Sequence, residues 1–180
     1  MALWAAPRLD QNPVREAERR ALVDELAALG RCPSADKVGE ALARRPLDWA
    51  TDPRTATTCL AALAARGRPE AAALLLLALG AEATNAIHFN VAISACDKGA
   101  RWDLALALLA HMAGDRLVAD AIAYSAAISA CEKGARWGLA LRVLEEMVGR
   151  GAEENVITYG AAISACEKGA RWHLAARLLS

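Results

Sequence analysis

Three lysines, Lys98, Lys133 and Lys168, occupy one place in a phrase that the chain repeats. The phrase is Ala-Ile-Ser-Ala-Cys-Asp-Lys-Gly-Ala-Arg-Trp at 92–102, and it returns with Glu for Asp at 127–137 and 162–172. Regularly spaced ammonium groups suit the phosphates of a linear polyanion. At helical periodicity each lysine shares a face with a serine, a small or polar residue and an isoleucine. The sets are Ile87, Asn90, Ser94, Lys98; then Ile122, Ser125, Ser129, Lys133; then Ile157, Gly160, Ser164, Lys168. One chemistry for such a row is single-strand binding, one nucleotide per unit. The Ile would lie against a base, the polar residue at its edge and the Lys at a phosphate. The alternative is that Ile packs under the next repeat while Ser and Lys are merely solvated. The residues alone leave both open.

No other constellation suggests chemistry. His88, His111 and His173 fall at unrelated places in the repeat, without recurring partners. No nucleophile with its base, paired carboxylates or phosphate loop is recognisable. A deaminase-type zinc motif, His-x-Glu with Pro-Cys-x-x-Cys, is absent. No two of the five cysteines have Cys-x-x-Cys spacing, and three of them, Cys96, Cys131 and Cys166, recur at 35-residue intervals. Stacked helices lie ~8–10 Å apart, beyond the reach of a disulfide. The thiols are expected to be small buried groups in a reducing compartment. No catalysis, metal or cofactor is expected.

The elements that would position the row follow from composition and period. Of 180 residues, 56% are apolar and only 4% aromatic. Alanine and leucine dominate, which suits closely packed helices rather than sheets. Formal net charge is zero, which neither supports nor excludes a nucleic-acid partner. The longest apolar run, 71–81, is too short to span a bilayer. Residues 1–6 are too short for a secretory signal, and acids interleave the early arginines, unlike a transit peptide.

A fixed period of this size marks a stacked-repeat architecture. Units are expected at 86–120, 121–155 and 156–180, the last stopping inside its second helix as in a piece of a longer array. In the middle unit a first helix is predicted over 121–133, ended by Gly134 as C-cap, and a second from about 136 to 148. Asn85, Asp120 and Asn155 precede the units as N-caps. Tyr124, Ala127, Ile128 and Cys131 form the core stripe of the first helix, and Trp137, Ala140, Leu141 and Leu144 that of the second. Residues 54–85 look like a worn copy, expected to be three residues short. Matching Gly67 to Gly99 sets Thr55 on Ile87, Thr58 on Asn90 and Glu70 on Trp102. Upstream, helices are predicted over 13–29, capped by Asn12, and from Ser34 to about 45. Residues 1–50 then form an N-terminal cap or degenerate repeat, and 51–180 the array.

A 35-residue helical hairpin with an aromatic in its first turn, a Lys-Gly turn, an Arg-Trp start to the second helix and a terminal Asn or Asp resembles the pentatricopeptide repeat family. The likeness is strong over 86–180, weak over 54–85 and absent from 1–50. A tetratricopeptide repeat would have a 34-residue period and a Trp-x-x-Leu-Gly-x-x-Tyr first helix, which is not the pattern here. The resemblance implies an all-α, right-handed superhelical solenoid of antiparallel helix–turn–helix repeats. It implies sequence-specific single-stranded RNA binding in a mitochondrion or chloroplast, supporting processing, stability, editing or translation. It implies no small-molecule substrate, no membrane and no catalysis without an added domain. It also implies that bases are read by pairs: Thr58 with Asn85, Asn90 with Asp120, Ser125 with Asn155. Ile87, Ile122 and Ile157 would flank bases, and Lys98, Lys133 and Lys168 would contact phosphates. Gly160 has no side chain to read with, and Thr55 departs from the flanking Ile. The alternative function is a tetratricopeptide-like scaffold holding a peptide or helix.

Overall fold

The computed structural model describes residues 13–30, 32–44, 49 and 53–178. Among them are ten helices: α1 (Pro13–Ala28), α2 (Ala35–Arg44), α3 (Pro53–Ala65), α4 (Pro69–Leu79), α5 (Ala86–Lys98), α6 (Trp102–Gly114), α7 (Ala121–Lys133), α8 (Trp137–Gly149), α9 (Val156–Lys168) and α10 (Trp172–Leu178). The expected cap at Asn12 lies outside the described residues. Ser34 does sit at the start of α2, its Oγ 3.5 Å from the N–H of Lys37.

Each odd-numbered helix pairs with the even-numbered one that follows. The first helices α3, α5, α7 and α9 pack closely side by side. From α3 onward each second helix packs on its own first helix and on the next unit's, while second helices of neighbouring units hardly meet; α2 instead packs on α1 and α4. A stack tight on one side and open on the other curves, which makes the first helices the inner wall of a helical solenoid.

The core stripes of α5 and α7 are where periodicity put them, whereas in α8 Ala140 and Leu144 are buried together with Val143 and Met147, and the expected Trp137 and Leu141 are only half-buried. Phe89, Ala92, Ile93 and Cys96 are buried, as are Tyr124, Ala127, Ile128 and Cys131. Burying each large side chain among them contributes ~1.5–3 kcal/mol. In α9 the stripe is incomplete: Ala162 and Cys166 are buried, but Tyr159 and Ile163 only half so. No further first helix covers them among the described residues.

The turn between paired helices differs from expectation in which residue bends it. Gly99, Gly134 and Gly169 are C-caps with ordinary negative φ. The left-handed residue is the next one, Ala100, Ala135 or Ala170, at φ 53–54°. The Arg after it donates its N–H back to Cys96, Cys131 or Cys166 at 2.7–2.8 Å, closing a Schellman-type turn. Left-handed alanine is unfavourable by ~1–2 kcal/mol, so the glycine must serve another need. That need is the preceding unit's tryptophan. A Cβ at Gly134 would overlap the Trp102 ring, and one at Gly169 the Trp137 ring. The guanidinium carbon of Arg136 then lies 4.7 Å from the Trp102 ring centroid, and that of Arg171 lies 5.1 Å from Trp137. Trp102 and Trp137 are therefore half-buried fasteners between units as much as core within one.

This geometry corrects the register of the worn unit. Gly67 itself is the left-handed residue there (φ 65°), and Arg68 donates back to Leu63. Gly67 thus matches Ala100, not Gly99, and Pro69 at the start of α4 matches Trp102. The unit is two residues short rather than three, as the starts of α3 at Pro53 and α5 at Ala86 also require. Thr57 takes the place of Asn90, Arg54 that of Ile87, and buried Thr55 that of buried His88.

Candidate nucleic-acid interface

The inner wall carries the expected row. Helices α5, α7 and α9 each begin at a side-chain cap. Asn85 accepts from the N–H of His88, and Asn155 from those of Ile157 and Thr158. Thr158 returns a hydroxyl to the N–H of Asn155, completing a capping box that the sequence reading missed. Asp120 divides its carboxylate. Oδ1 accepts from Ile122 and Ala123 at 3.1 and 3.0 Å, and Oδ2 accepts from Asn90 Nδ2 at 2.9 Å. Capping and the contact with Asn90 are therefore made by different oxygens. The Asn90 amide is oriented by this bond, since turning it over would set oxygen against carboxylate.

Beside this pair stand Ile87 and Ile122, 61% and 58% exposed, with Ile157 at 69% further along. Large aliphatic groups left this open on the inner wall do not pack under a neighbouring repeat. Of the other expected pairs, Ser125 donates to the carbonyl of Ile122 rather than to Asn155. Thr58, one position past the corrected register, donates to the carbonyl of Arg54.

Two of the three lysines are engaged, where mere solvation was one expectation. Lys133 Nζ lies 2.9 Å from the Asp97 carboxylate and also donates to its carbonyl at 3.3 Å. Lys168 Nζ lies 2.8 Å from Glu132, whose same oxygen accepts from Ser164 at 2.9 Å. Burial alone would raise the Glu132 pKa; the hydrogen bonds from Lys168 and Ser164 outweigh it, and the carboxyl is lowered. Lys98 is exposed and has no such partner among the described residues. The sequence signal for these acids was present: the residue before every repeat lysine is Asp97, Glu132 or Glu167.

Burial pushes the Cys59 thiol up to about 11, and Cys131 likewise to about 11. Cys96 is pushed up to about 12 by burial and then by the Glu70 charge. Thiols in that range are protonated and poor nucleophiles. Among the described residues no cluster of His, Cys, Asp or Glu could hold a metal, and no helix is long and apolar enough to cross a membrane.

The architecture is that of a helical-repeat solenoid whose first helices form a lined inner wall. The PPR repeat family model matches residues 122–151, within the middle unit. A search of curated proteins gives no match to the chain. Residues 122–151 thus carry a PPR repeat; proteins built of such repeats are generally RNA-binding and non-enzymatic.

Proposed function

We infer that the inner wall binds single-stranded RNA, about one nucleotide per unit and with base preference. The observation that carries this reading is the Asn90–Asp120 pair, joining α5 to the cap of α7 at 2.9 Å, with exposed isoleucines on both helices. Its free edge offers a carboxylate acceptor and an amide donor. Uracil presents an N–H at its Watson–Crick edge that a carboxylate can meet, whereas cytosine presents an acceptor that it repels. By family likeness, Ser125 with Asn155 favours adenine, and so does the pair of Asn85 with the worn unit's threonine, now Thr57. The expected register is A-U-A, 5′ to 3′ along the N-to-C direction. A role in mitochondrial or chloroplast transcript processing, stability, editing or translation rests on family likeness alone.

Stacking at ~1–3 kcal/mol per base over three or four bases, against association costs of at least ~4 kcal/mol, implies micromolar to millimolar affinity. The test is competition binding to RNAs varied at the central nucleotide. Asp120→Asn should move the preference there from U towards C and leave stability nearly unchanged, because Asn caps about as well as Asp. An unchanged U-to-C ratio would reduce Asp120 to a cap. Capture of a peptide with no RNA bound at any salt would replace this reading with a tetratricopeptide-like scaffold.

A further inference from the structure

The acids preceding the lysines do not point at random. Asp97 reaches Lys133 of the next unit, and Glu132 reaches Lys168 of the next. The two clasps repeat one geometry, acid of one first helix to lysine of the following one, on the wall where phosphates would run. The worn unit breaks the series. In the corrected register the place of Asp97 is taken by Ala64, so Lys98 has no carboxylate partner among the described residues and is exposed.

We propose that the Asp97–Lys133 and Glu132–Lys168 clasps hold two of the three wall lysines back from phosphate, leaving Lys98 as the cation that anchors the RNA backbone. The proposal rests on the RNA-binding reading above. A lysine clasped by a carboxylate must leave it before it can neutralise a phosphate, or share itself between two anions. Glu132 is held doubly, by Lys168 and Ser164 through one oxygen, so its clasp opens least readily. The row thus acts unequally: one strong backbone contact beside the worn unit, then two attenuated ones. Base contacts at the Asn90–Asp120 step, on the same helix α5 as Lys98, gain most from that anchor. The acids thereby become determinants of where along the array the strand is gripped, though they would touch no nucleotide.

The experiment is fluorescence anisotropy of a labelled single-stranded RNA containing A-U-A, with the full chain, between ~50 and ~200 mM salt. The ladder variant is Asp97→Asn with Glu132→Gln. A charge-matched control, Glu18→Gln with Glu145→Gln, removes two acids that are exposed and away from the clasps. Exposed ion pairs restrain their partners weakly, so releasing two should tighten binding by roughly 5- to 25-fold at low salt. It should also steepen the salt slope by up to ~1.4, at ~0.7 for each added phosphate contact. The control should do neither. In the unmodified chain Lys98→Ala should flatten the slope by ~0.7 while Lys133→Ala barely changes it; in the ladder variant the two should become equal. Helical circular dichroism checks that all variants fold. If the unmodified chain binds RNA but ladder and control variants shift alike, or Lys98→Ala and Lys133→Ala already weaken binding equally, the clasp proposal fails and the RNA reading stands. If the unmodified chain and the ladder variant both leave RNA unbound at the lowest salt, both fail. Binding by the ladder variant alone supports the clasp in its strongest form.

Discussion

Two junctions in the solenoid use the same arginine differently. Where α3–α4 meets α5–α6, Arg101 is paired with Glu70 of the worn unit and with its own Asp103, and Pro69 lies where a tryptophan stands elsewhere. Where α5–α6 meets α7–α8, Arg136 lies over Trp102, and Gly134 leaves space for the ring. The first junction is an ion-pair contact and the second an aromatic fastener. The substitutions move together: losing the ring leaves the arginine without a stacking surface, and acids take its place. Gly99 remains tight even so, since a Cβ there would come within 2.7 Å of Pro69 Cγ. A repeat junction is therefore a small set of coupled positions, and a worn unit can be recognised by how that set has been exchanged.

The comparison breaks most visibly at the fastener. Trp102→Ala should cost roughly 2–3 kcal/mol, somewhat below a fully buried aromatic because the ring is half-buried. Gly134→Ala should cost ~1–3 kcal/mol by overpacking against the ring. Made in the Trp102→Ala background, Gly134→Ala should become neutral or stabilising, since alanine is the better helix former. Urea unfolding of the four proteins in this cycle measures the coupling; additive losses would mean that the glycine answers to something other than the ring.

A smaller effect of opposite sign is expected one residue on. Ala135→Gly should stabilise by ~1 kcal/mol, because glycine adopts the left-handed conformation freely. Gly67, already the left-handed residue of the worn unit, should instead lose stability when changed to Ala. At the ion-pair junction, Glu70→Gln should cost ~1 kcal/mol or less, well below the loss at Trp102, as read from the same urea midpoints. The smallest effect concerns pH. The Glu132 carboxyl is lowered in the folded chain, so its clasp contributes above the ordinary carboxylate range and is lost as pH falls through the lowered value. The midpoint difference between the unmodified chain and Glu132→Gln should be present at neutral pH and vanish in acid.

The three clear units were legible in sequence because their phrase is nearly invariant. The bounds of α5, α7 and α9 follow from caps and glycines that recur in phase. The worn unit was misregistered for a physical reason: glycine there serves backbone conformation, while in the clear units it serves clearance for the preceding unit's side chain, Pro69 at Gly99 and a tryptophan at Gly134 and Gly169. Matching Gly67 to Gly99 equated residues of the same type with different tasks, and moved the candidate reader from Thr57 to Thr58. The candidate site was legible as a row of residue types but not as a network. Asp97 and Lys133 are neighbours only across units, and periodicity along one helix shows nothing of that. The bond between Asn90 and Asp120 likewise depends on how closely first helices pack.

That close packing has a mechanical consequence. The inner wall is tied at each step by packed helices and, along part of its length, by lysine–carboxylate clasps, whereas neighbouring second helices hardly touch. Such a body is stiff on one side and compliant on the other. Flexing is easiest by opening or closing the gaps between outer helices, which changes curvature while preserving the rise from one first helix to the next. The solenoid behaves as a ruler with fixed graduations on a bendable back.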